Sequence, residues 1–524
     1  MSRLYVVVHG LRPSRPHWEQ FCKWLQSTTG DQVEFWDHNL GPFSRGDILQ
    51  WSMALRAQIN EWDIQATHNG TPYKEIFLIG HSMGGILVRD AYLLAADSTY
   101  GDDQTYDWHK KIKRIVLLAS INRGIVPSRR LLFVITIRLL QFFNLYKHFT
   151  ISHLTEGSNF ITNLRLRWIN RFSPSNTGLP QIVQILGTKD GVVSPADSID
   201  LEQFPNAHQV QVPDETHAEV YFLKNEGRKA LFQKYIVDDL PSRELKPEQQ
   251  ANKDVNTVVI LLHGIHASRD GWVKDAADLI RQHPQGKSVE IKEYSYGFFA
   301  PLAFVIPSLR HNRITWFQNL YSEARGKHPN ATFHFIGHSN GTYMFGHGLA
   351  NIAAIKFSRV ALAGCALPRE FDWETCFERG QIQKAQNHRS RSDFVIAWLA
   401  SAISFFGKDV GTAGYFGFDK TPSNMSDYFF YPGGHSRPYQ SDNLKYVVDF
   451  ILDGKERPLN ADPKVERNHP YYFEILSRVF KLLLPGILAL DLFALYTAFQ
   501  SGVTIWHKIL LLVHILIISA LYFL

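Results

Sequence analysis

Two stretches decide the predicted fold of this chain: Gly80-His81-Ser82-Met83-Gly84 and, later, Gly337-His338-Ser339-Asn340-Gly341. Each is a Gly-x-Ser-x-Gly pattern that follows an apolar run and precedes a helix-compatible stretch. In the order strand, turn, helix, a serine in a strained bend projects its hydroxyl above a sheet, and small neighbours let the backbones pass closely. A lone pattern arises by chance, but the same context around both copies favours two nucleophile elbows.

Comparison of the chain with itself reveals two similar halves, which indicates a duplicated architecture. An apolar run at residues 4–8 precedes His9-Gly10, and another at residues 258–262 precedes His263-Gly264. The histidine stands 73 residues before Ser82 in the first half and 76 before Ser339 in the second. Apolar runs alternate with helical segments in both halves, as a mostly parallel sheet requires. We therefore predict two tandem α/β domains.

Polar stretches that contain proline and charged side chains set the expected domain boundaries. The first domain is predicted over residues 1–240, with a cap insertion at about 121–178, followed by a linker at 241–254. The second domain is predicted over 255–455, and a polar linker follows at 456–471. Residues 472–524 form a tail of different composition.

The tail holds two apolar segments, residues 482–499 and 509–524, which are 18 and 16 residues long. These lengths lie near the lower end of what spans a bilayer, so we expect a helical transmembrane hairpin, with a pair of buried helices on a soluble domain as the alternative. Arg478 and Lys481 precede the first segment and favour a cytosolic position for its amino-terminal side. The folded domains would then face the cytoplasm.

Composition narrows the class of protein further. The chain of 524 residues is 45% hydrophobic, and its net charge of +6 is spread along its length. Neither disorder nor a nucleic-acid partner is expected. The three cysteines, Cys22, Cys365 and Cys376, have neither disulfide-framework nor metal-site spacing, which predicts a reducing compartment and no metal. The first apolar run is too short for a signal peptide.

A serine nucleophile needs a histidine base that a carboxylate orients, and after an elbow the chain order is serine, acid, histidine. In the first half, Asp190 lies in a glycine-containing loop just past a strand candidate at residues 180–186. His217 follows the next strand candidate, residues 209–212, by a short loop. We predict the triad Ser82, Asp190 and His217, and the alternatives are Asp197 and Asp200 for the acid and His208 for the base.

The second half supplies the same order after Ser339. Asp393 follows a less apolar strand candidate at residues 381–389, and His435 follows the paired glycines Gly433-Gly434, which permit a sharp loop. We predict the triad Ser339, Asp393 and His435. The alternatives are Asp372, Asp409, Asp419 and Asp427 for the acid and His388 for the base.

Negative charge on a tetrahedral intermediate needs preorganised backbone N–H donors. In an elbow, one donor belongs to the residue after the nucleophile, here Met83 or Asn340, and another to the loop after an early strand. The His-Gly pairs occupy such loops, so Leu11 and Ile265 are the predicted second donors. For the two histidines of these pairs, shaping the loop and direct contact with the reacting group remain equal alternatives.

These motifs together resemble the α/β-hydrolase superfamily, particularly its lipase and serine-esterase branch, over about residues 1–237 and 255–452. The branch includes relatives of GPI inositol-deacylases and palmitoyl-protein thioesterases. The resemblance implies cleavage of carboxylic ester bonds through an acyl-enzyme, without a cofactor. The second half departs from lipase patterns, with Asn340 after the nucleophile and Thr342 where Gly85 stands in the first.

The halves differ most between nucleophile and acid, a spacing of 108 residues in the first and 54 in the second. The extra residues include an apolar stretch at 131–143, interpreted as a lid or interfacial helix, or alternatively a core helix. In the second half, four aromatic residues either line a pocket or pack in the core: Tyr294, Tyr296, Phe298 and Phe299.

An apolar lid and a membrane tail both favour a lipid acyl ester or thioester as substrate. The leading hypothesis is therefore a membrane-anchored serine esterase or lipase. Two alternatives remain: only the first site is catalytic while the second domain binds a ligand or supports the first, or the chain is a non-enzymatic membrane scaffold built from hydrolase folds.

Overall fold

The computed structural model describes most of both halves and the start of the tail. The described residues are 2–11, 15–41, 44–45, 47–97, 104–125, 149–173, 176–193, 204, 206–241, 255–265, 271–294, 304, 307–405, 407–456 and 471–501. The chain forms two compact units, Met1–Lys253 with Gln318–Asn330, and Asp254–Phe317 with Ala331–Leu524. Most of each predicted linker, residues 242–254 and 457–470, lies outside the described residues.

The first unit contains a sheet of six parallel strands, in the order β2-β1-β3-β4-β5-β6. Its strands are β1 (Arg3–Val8), β2 (Gln32–Trp36), β3 (Glu75–His81), β4 (Ile112–Leu118), β5 (Gln181–Gly187) and β6 (Ala207–Val212). The central strands are apolar along almost their whole length because both faces of the sheet are covered. Alternate side chains of β1 thus enter two different cores, Leu4, Val6 and Val8 on one face and Tyr5 and Val7 on the other.

Helices cover these two faces. They are α1 (Arg15–Thr29), α2 (Ile48–His68), α3 (Met83–Ala96), α4 (Thr150–His153), α5 (Asn159–Arg171) and α6 (Glu226–Phe232), with a 3₁₀ turn at Asp107–Lys111 and a π turn at Gln233–Val237. Helix α3 is buried on nearly every side, and it follows the third strand directly. The predicted elbow helix is therefore a central element of the unit.

The second unit repeats this architecture. Its strands are β7 (Thr257–Leu262), β8 (Val289–Tyr294), β9 (Thr332–His338), β10 (Phe357–Ala363), β11 (Ile382–Ser390) and β12 (Met425–Tyr431). They are parallel and lie in the order β8-β7-β9-β10-β11-β12. Counted from the first strand of each unit, the two orders are identical. The prediction of two mostly parallel sheets is confirmed.

Helices of the second half follow the same pattern. They are α7 (Trp272–Gln282), α8 (Pro307–Lys327), α9 (Asn340–Asn351), α10 (Trp373–Glu378), α11 (Ser401–Ile403), α12 (Ala413–Phe416), α13 (Ser441–Asp453) and α14 (Tyr471–Ser501), with 3₁₀ turns at Gly286–Ser288 and Arg437–Tyr439 and a π turn at Val395–Ala400. Helix α9 follows the third strand of the second unit, β9, as α3 follows β3.

The first turns of α14 pack on the segment that follows Asp393. Phe473 stacks on Tyr415 with ring centroids 5.0 Å apart and lies 5.1 Å from the ring of Trp398. The Trp398 ring also stacks on Phe480 at 5.4 Å. Aromatic contacts of this kind add to the free energy of simple apolar burial. The start of the tail is thus part of the second unit's packing.

Within the described ranges, no helix is long and apolar enough to cross a membrane. The second apolar segment, residues 509–524, lies outside the described residues, as does the stretch at 131–143. The membrane hairpin and the lid therefore stay predictions.

Candidate functional site

Each elbow serine occupies a sharp bend between the third strand of its unit and the following helix. Ser82 has φ +53° and Ser339 has φ +54°, a backbone region that non-glycine residues rarely adopt. The backbone N–H of Ser82 donates to the carbonyl of Leu118 over 2.9 Å, and that of Ser339 donates to the carbonyl of Ala363 over 2.9 Å. The neighbouring strand thus holds each strained bend in place.

Glycines at both elbows are required by close approach. A Cβ on Gly10 would lie 2.7 Å from the Cβ of Ser82, and one on Gly264 would lie 2.7 Å from the Cβ of Ser339. A Cβ on Gly84 would lie 2.3 Å from the carbonyl oxygen of Val8. The loop after the first strand therefore lies against the serine that follows the third strand.

In the first unit, three predicted residues form a continuous hydrogen-bonded series. The Ser82 Oγ lies 2.8 Å from His217 Nε2, and His217 Nδ1 lies 2.9 Å from Asp190 Oδ2. Asp190 Oδ1 accepts hydrogen bonds of 2.8 Å from the N–H groups of Val192 and Val193. Residues separated by more than one hundred positions thus meet at the carboxyl edge of one sheet, where parallel α/β sheets place their sites.

Asp190 is held as a carboxylate. Burial by itself would raise the pKa of this carboxyl group, but the hydrogen bond and charge interaction with His217 outweigh burial, aided by the two backbone N–H donors. The pKa of Asp190 is lowered below its ordinary value of 3.8. A carboxylate that stays ionised fixes the tautomer of His217, with its proton on Nδ1, and leaves Nε2 able to accept the serine proton.

The second unit brings its three residues to the same edge, with one difference. His435 Nδ1 lies 2.8 Å from Asp393 Oδ2, and Asp393 Oδ1 accepts a 3.0 Å hydrogen bond from the N–H of Ile396. His435 Nε2 is buried and has no hydrogen-bond partner in the part of the chain that the structure describes. The second unit therefore lacks the hydrogen bond between histidine and serine that the first unit has. The His435 ring is therefore oriented by its acid without engaging Ser339.

The alternative acids and bases have other partners or lie outside the described residues. Asp197 and Asp200 belong to the latter group, and His208 lies near the start of β6, away from the sheet edge that carries Ser82. His388 contacts Tyr431 and Gln386. Asp372 caps α10 at Thr375, Asp409 binds Arg310, Asp419 pairs with Arg369, and Asp427 pairs with Arg389.

The four predicted oxyanion donors lie at the expected loops and helix ends. Met83 and Asn340 are the first residues of α3 and α9. Leu11 and Ile265 follow the close-packed glycines of the His-Gly loops. Their role as donors remains a prediction.

The histidines of the His-Gly pairs contact the loop backbone. His9 Nδ1 donates to the carbonyl of Gly10 over 2.6 Å, and His263 Nδ1 donates to the carbonyl of Gly264 over 2.7 Å. His9 Nε2 also lies 3.0 Å from Asp37 Oδ1. Since the C=O and N–H of a trans peptide point in opposite directions, each bond turns the following N–H away from the histidine ring. This geometry favours the loop-shaping alternative.

Two residues of the elbows have a contact that sequence reasoning missed. His81 Nε2 donates to the backbone carbonyl of His217 over 2.9 Å, and His338 Nε2 donates to that of His435 over 3.2 Å. Burial, together with the nearby histidine ring, lowers the pKa of His81 and of His338 to about 3, so both rings stay neutral. The signal was present in the sequence, because histidine precedes the serine in both elbows.

Thr342, which stands where Gly85 does in the first unit, has a structural explanation. Its Oγ1 donates to the carbonyl of Ser339 over 2.6 Å and accepts from the N–H of Ala366 over 3.0 Å. In the first unit a Cβ on Gly85 would lie 2.2 Å from the Oγ of Ser120. The threonine therefore braces the second elbow where Ser120 fills the space in the first.

The predicted pocket aromatics are described only in part. Tyr294 lies at the end of β8, with its ring edge-on to that of Trp316 at 6.3 Å, and the other three lie outside the described residues. Among the side chains that the structure describes, no group of three or more His, Cys, Asp or Glu is placed to hold a metal ion.

Strand order and site position agree between the units. In each, a serine elbow follows the third strand, an aspartate follows the fifth, and a histidine follows the sixth, on a parallel six-stranded sheet. Both units have the α/β-hydrolase fold. The predicted fold is confirmed for both halves, and the assignment rests on the strand order and elbows of this chain.

No protein-family model and no curated protein sequence matches the chain. Similar solved structures include a monoacylglycerol lipase from Paleococcus ferrophilus, with 15% identity and a TM-score of 0.30, which covers 44% of this chain and 93% of the lipase. Carboxyl esterase 2 from Tuber melanosporum has 14% identity and a TM-score of 0.31, with 44% of this chain and 78% of the esterase covered. Phospholipase PlaB from Legionella pneumophila has 15% identity and a TM-score of 0.26, with 36% of this chain and 39% of the phospholipase covered.

Proposed function

We propose that this α/β-hydrolase-fold chain is a serine hydrolase that cleaves carboxylic ester bonds, with a lipid acyl ester or thioester as substrate. The observation that carries the proposal is the series Ser82 Oγ, His217 Nε2, His217 Nδ1 and Asp190, with hydrogen bonds of 2.8 and 2.9 Å. A buried serine is a weak nucleophile unless a base removes its proton, and this series supplies one.

The proposed reaction has two halves. His217 Nε2 accepts the Ser82 hydroxyl proton while Oγ attacks the acyl carbon, and the N–H groups of Met83 and Leu11 stabilise the negative charge on the acyl oxygen. His217 then gives its proton to the departing alcohol or thiol, which leaves an acyl-enzyme. Water, deprotonated by the same nitrogen, releases the acid and restores Ser82. Asp190 stabilises the imidazolium ion that forms in each half.

For the second site, we propose the same roles for Ser339, Asp393 and His435, with Asn340 and Ile265 as oxyanion donors. A specific observation favours a second candidate, in which only the first site is catalytic: His435 Nε2 makes no hydrogen bond to Ser339. The second domain would then bind a ligand or support the first.

Labelling with a fluorophosphonate, which reacts covalently with activated serines, tests these functions. We expect the full chain to be labelled and the variant with both Ser82→Ala and Ser339→Ala to be unlabelled. Label that persists in each single variant means two working sites, whereas label that is lost in Ser82→Ala alone means that only the first site works. If the full chain is folded, as judged by its thermal unfolding, and still is not labelled, the result would favour the non-enzymatic membrane scaffold and contradict the proposal.

We also propose that the carboxyl-terminal tail holds the chain at a membrane, with the hydrolase domains on the cytoplasmic side. Residues 482–499 and 509–524 are nearly continuously apolar. Helix α14 also exposes large apolar side chains along its length, among them Leu482, Leu490 and Phe493, each more than 60% exposed. Exposed apolar surface of this extent is costly in water, and a lipid environment would cover it.

Carbonate extraction of membranes from cells that express the full chain tests this location. We expect the chain in the membrane fraction, and the double variant Leu490→Lys with Phe493→Lys in the soluble fraction. The matched control, Leu490→Ile with Phe493→Leu, keeps the apolar character and remains with the membrane. A soluble unsubstituted chain would contradict membrane anchoring without affecting the proposed chemistry.

A further inference from the structure

The two sites differ in the residue that follows the fourth strand of each sheet. Ala119 comes directly after β4 and Gly364 directly after β10, and the residue before each accepts the N–H of the elbow serine. Both have a left-handed backbone, with φ +44° for Ala119 and +52° for Gly364. The positions are therefore equivalent, and their side chains differ by one methyl group.

The missing methyl group at Gly364 leaves a space that the His435 ring occupies. A Cβ on Gly364 would lie 2.5 Å from His435 Cε1 and 2.8 Å from His435 Nδ1, closer than Cβ contacts in proteins come. The His435 ring also lies nearer the elbow histidine, with centroids 4.5 Å from His338, against 5.3 Å between His217 and His81.

The link between histidine and acid does not account for the difference. Nδ1 lies 2.8 Å from the carboxylate of Asp393 in the second unit and 2.9 Å from that of Asp190 in the first. Both histidines are thus held by their acids, while only His217 reaches its serine, at 2.8 Å. The His435 ring occupies the space beside Gly364, where a Cβ would lie 2.5 Å from its Cε1.

We propose that Gly364 is a positioning residue that lets the His435 ring rest away from Ser339, whereas the Cβ of Ala119 denies His217 that space and keeps it on Ser82. The inference rests on the proposed function, because it concerns the activation of the same serines. It predicts that the second site is a less reactive form of the first and that one methyl group restores it. A Cβ at residue 364 requires the His435 ring to move aside, and Ala119 shows that alanine can adopt the left-handed backbone of this position.

The test measures fluorophosphonate labelling rates at each serine separately. In a Ser82→Ala background, we expect the fluorophosphonate to label Ser339 at least tenfold faster in the Gly364→Ala variant than in the protein that keeps Gly364. A correctly placed base contributes roughly 10²- to 10⁴-fold to such a rate. The pH profile of the labelling rate in Gly364→Ala should match that of Ser82. A gain in rate cannot result from damage to the fold.

The reciprocal arm uses the first site in a Ser339→Ala background. We expect the fluorophosphonate to label Ser82 at least tenfold more slowly in Ala119→Gly than in the protein with Ala119. The Ala119→Ser variant, which retains a Cβ, should keep the original labelling rate. This arm decides the question if Gly364→Ala does not fold.

The outcomes below overturn the inference or separate it from the proposed function. Equal or slower labelling of folded Gly364→Ala overturns the role of Gly364, as does an unchanged rate in Ala119→Gly. Absence of label at both serines in the unsubstituted chain contradicts the proposed function itself. Label at Ser82 that is unaffected by any of these substitutions leaves the function standing and removes the inference.

Discussion

His81 and His217 are joined by a hydrogen bond of 2.9 Å, in which the Nε2–H of His81 donates to the backbone carbonyl of His217. The elbow therefore holds the loop that carries the base, across 136 positions of sequence. The equivalent bond between His338 and His435 is 3.2 Å long. Both rings are neutral, and each carries its single proton on Nε2 because that nitrogen faces a carbonyl oxygen, which can only accept a hydrogen bond.

Replacement of His81 tests this contact. We expect His81→Ala to lower kcat for a short-chain ester by roughly 10- to 100-fold with little change in KM, because the base loop loses its anchor while the pocket is unchanged. His81→Gln, whose amide nitrogen can reach the same carbonyl, should recover most of the rate. The measurement uses a Ser339→Ala background so that only the first site contributes. Equal losses in Ala and Gln variants would contradict a role for the hydrogen bond.

Removal of the negative charge on Asp190 should abolish most of the activity. In Asp190→Asn the amide cannot stabilise the imidazolium and favours the wrong tautomer of His217, so kcat should fall by roughly 10³- to 10⁴-fold. Asp214 provides a matched control, because its side chain is 79% exposed and pairs with exposed Lys189. Asp214→Asn is expected to retain activity. Steady-state hydrolysis of a p-nitrophenyl ester measures both variants.

The buried elbow histidines should make folding stability depend on pH. The pKa of His81 is about 3 in the folded chain and 6.5 ordinarily, so between these values the unfolded state binds the extra proton. Stability is therefore fully present above pH 6.5 and is lost as the pH falls toward 3, with a slope of about 1.4 kcal/mol per pH unit for one histidine. Thermal unfolding midpoints measured from pH 7 to pH 4 should fall accordingly.

Variants separate this contribution from that of other groups. His81→Gln does not titrate, so its unfolding midpoint should fall less steeply with decreasing pH than that of the unsubstituted chain. Identical slopes for His81→Gln and the unsubstituted chain would contradict the low pKa of His81.

The packing of α14 on the second unit predicts that alanine substitutions at two nearby aromatic residues have very different effects on stability. Phe473 is 6% exposed and contacts Trp398 and Tyr415, so Phe473→Ala should destabilise this contact by about 3–5 kcal/mol. Tyr471 is 76% exposed, and Tyr471→Ala should change stability by less than about 0.5 kcal/mol. Hydrogen exchange of residues 395–403 measures the local effect. Unchanged protection in Phe473→Ala would contradict the observed packing.

Local sequence determined the elbows and the repeated architecture. An apolar strand, a serine bend with flanking glycines and a helix are neighbours along the chain, so the pattern around Ser82 and Ser339 carries the geometry by itself. The same order of elements in each half then placed Asp190, His217, Asp393 and His435 after the correct strands. The carboxyl ends of parallel strands meet at one edge, which is why chain order alone predicts that Asp190 and Asp393 lie at the edge that carries the serines.

Only the tertiary structure decided whether the histidine of each predicted triad forms a hydrogen bond with its serine. The missing contact between His435 and Ser339 depends on the volume beside Gly364, a residue that strand order does not single out. The anchoring bond from His81 to His217 likewise joins distant backbone segments. Hydrogen bonds are made or lost within a few tenths of an ångström, and such differences arise from packing between strands rather than from a motif. The sequence by itself thus determined which residues assemble, and the packing around them decided which histidine reaches its serine.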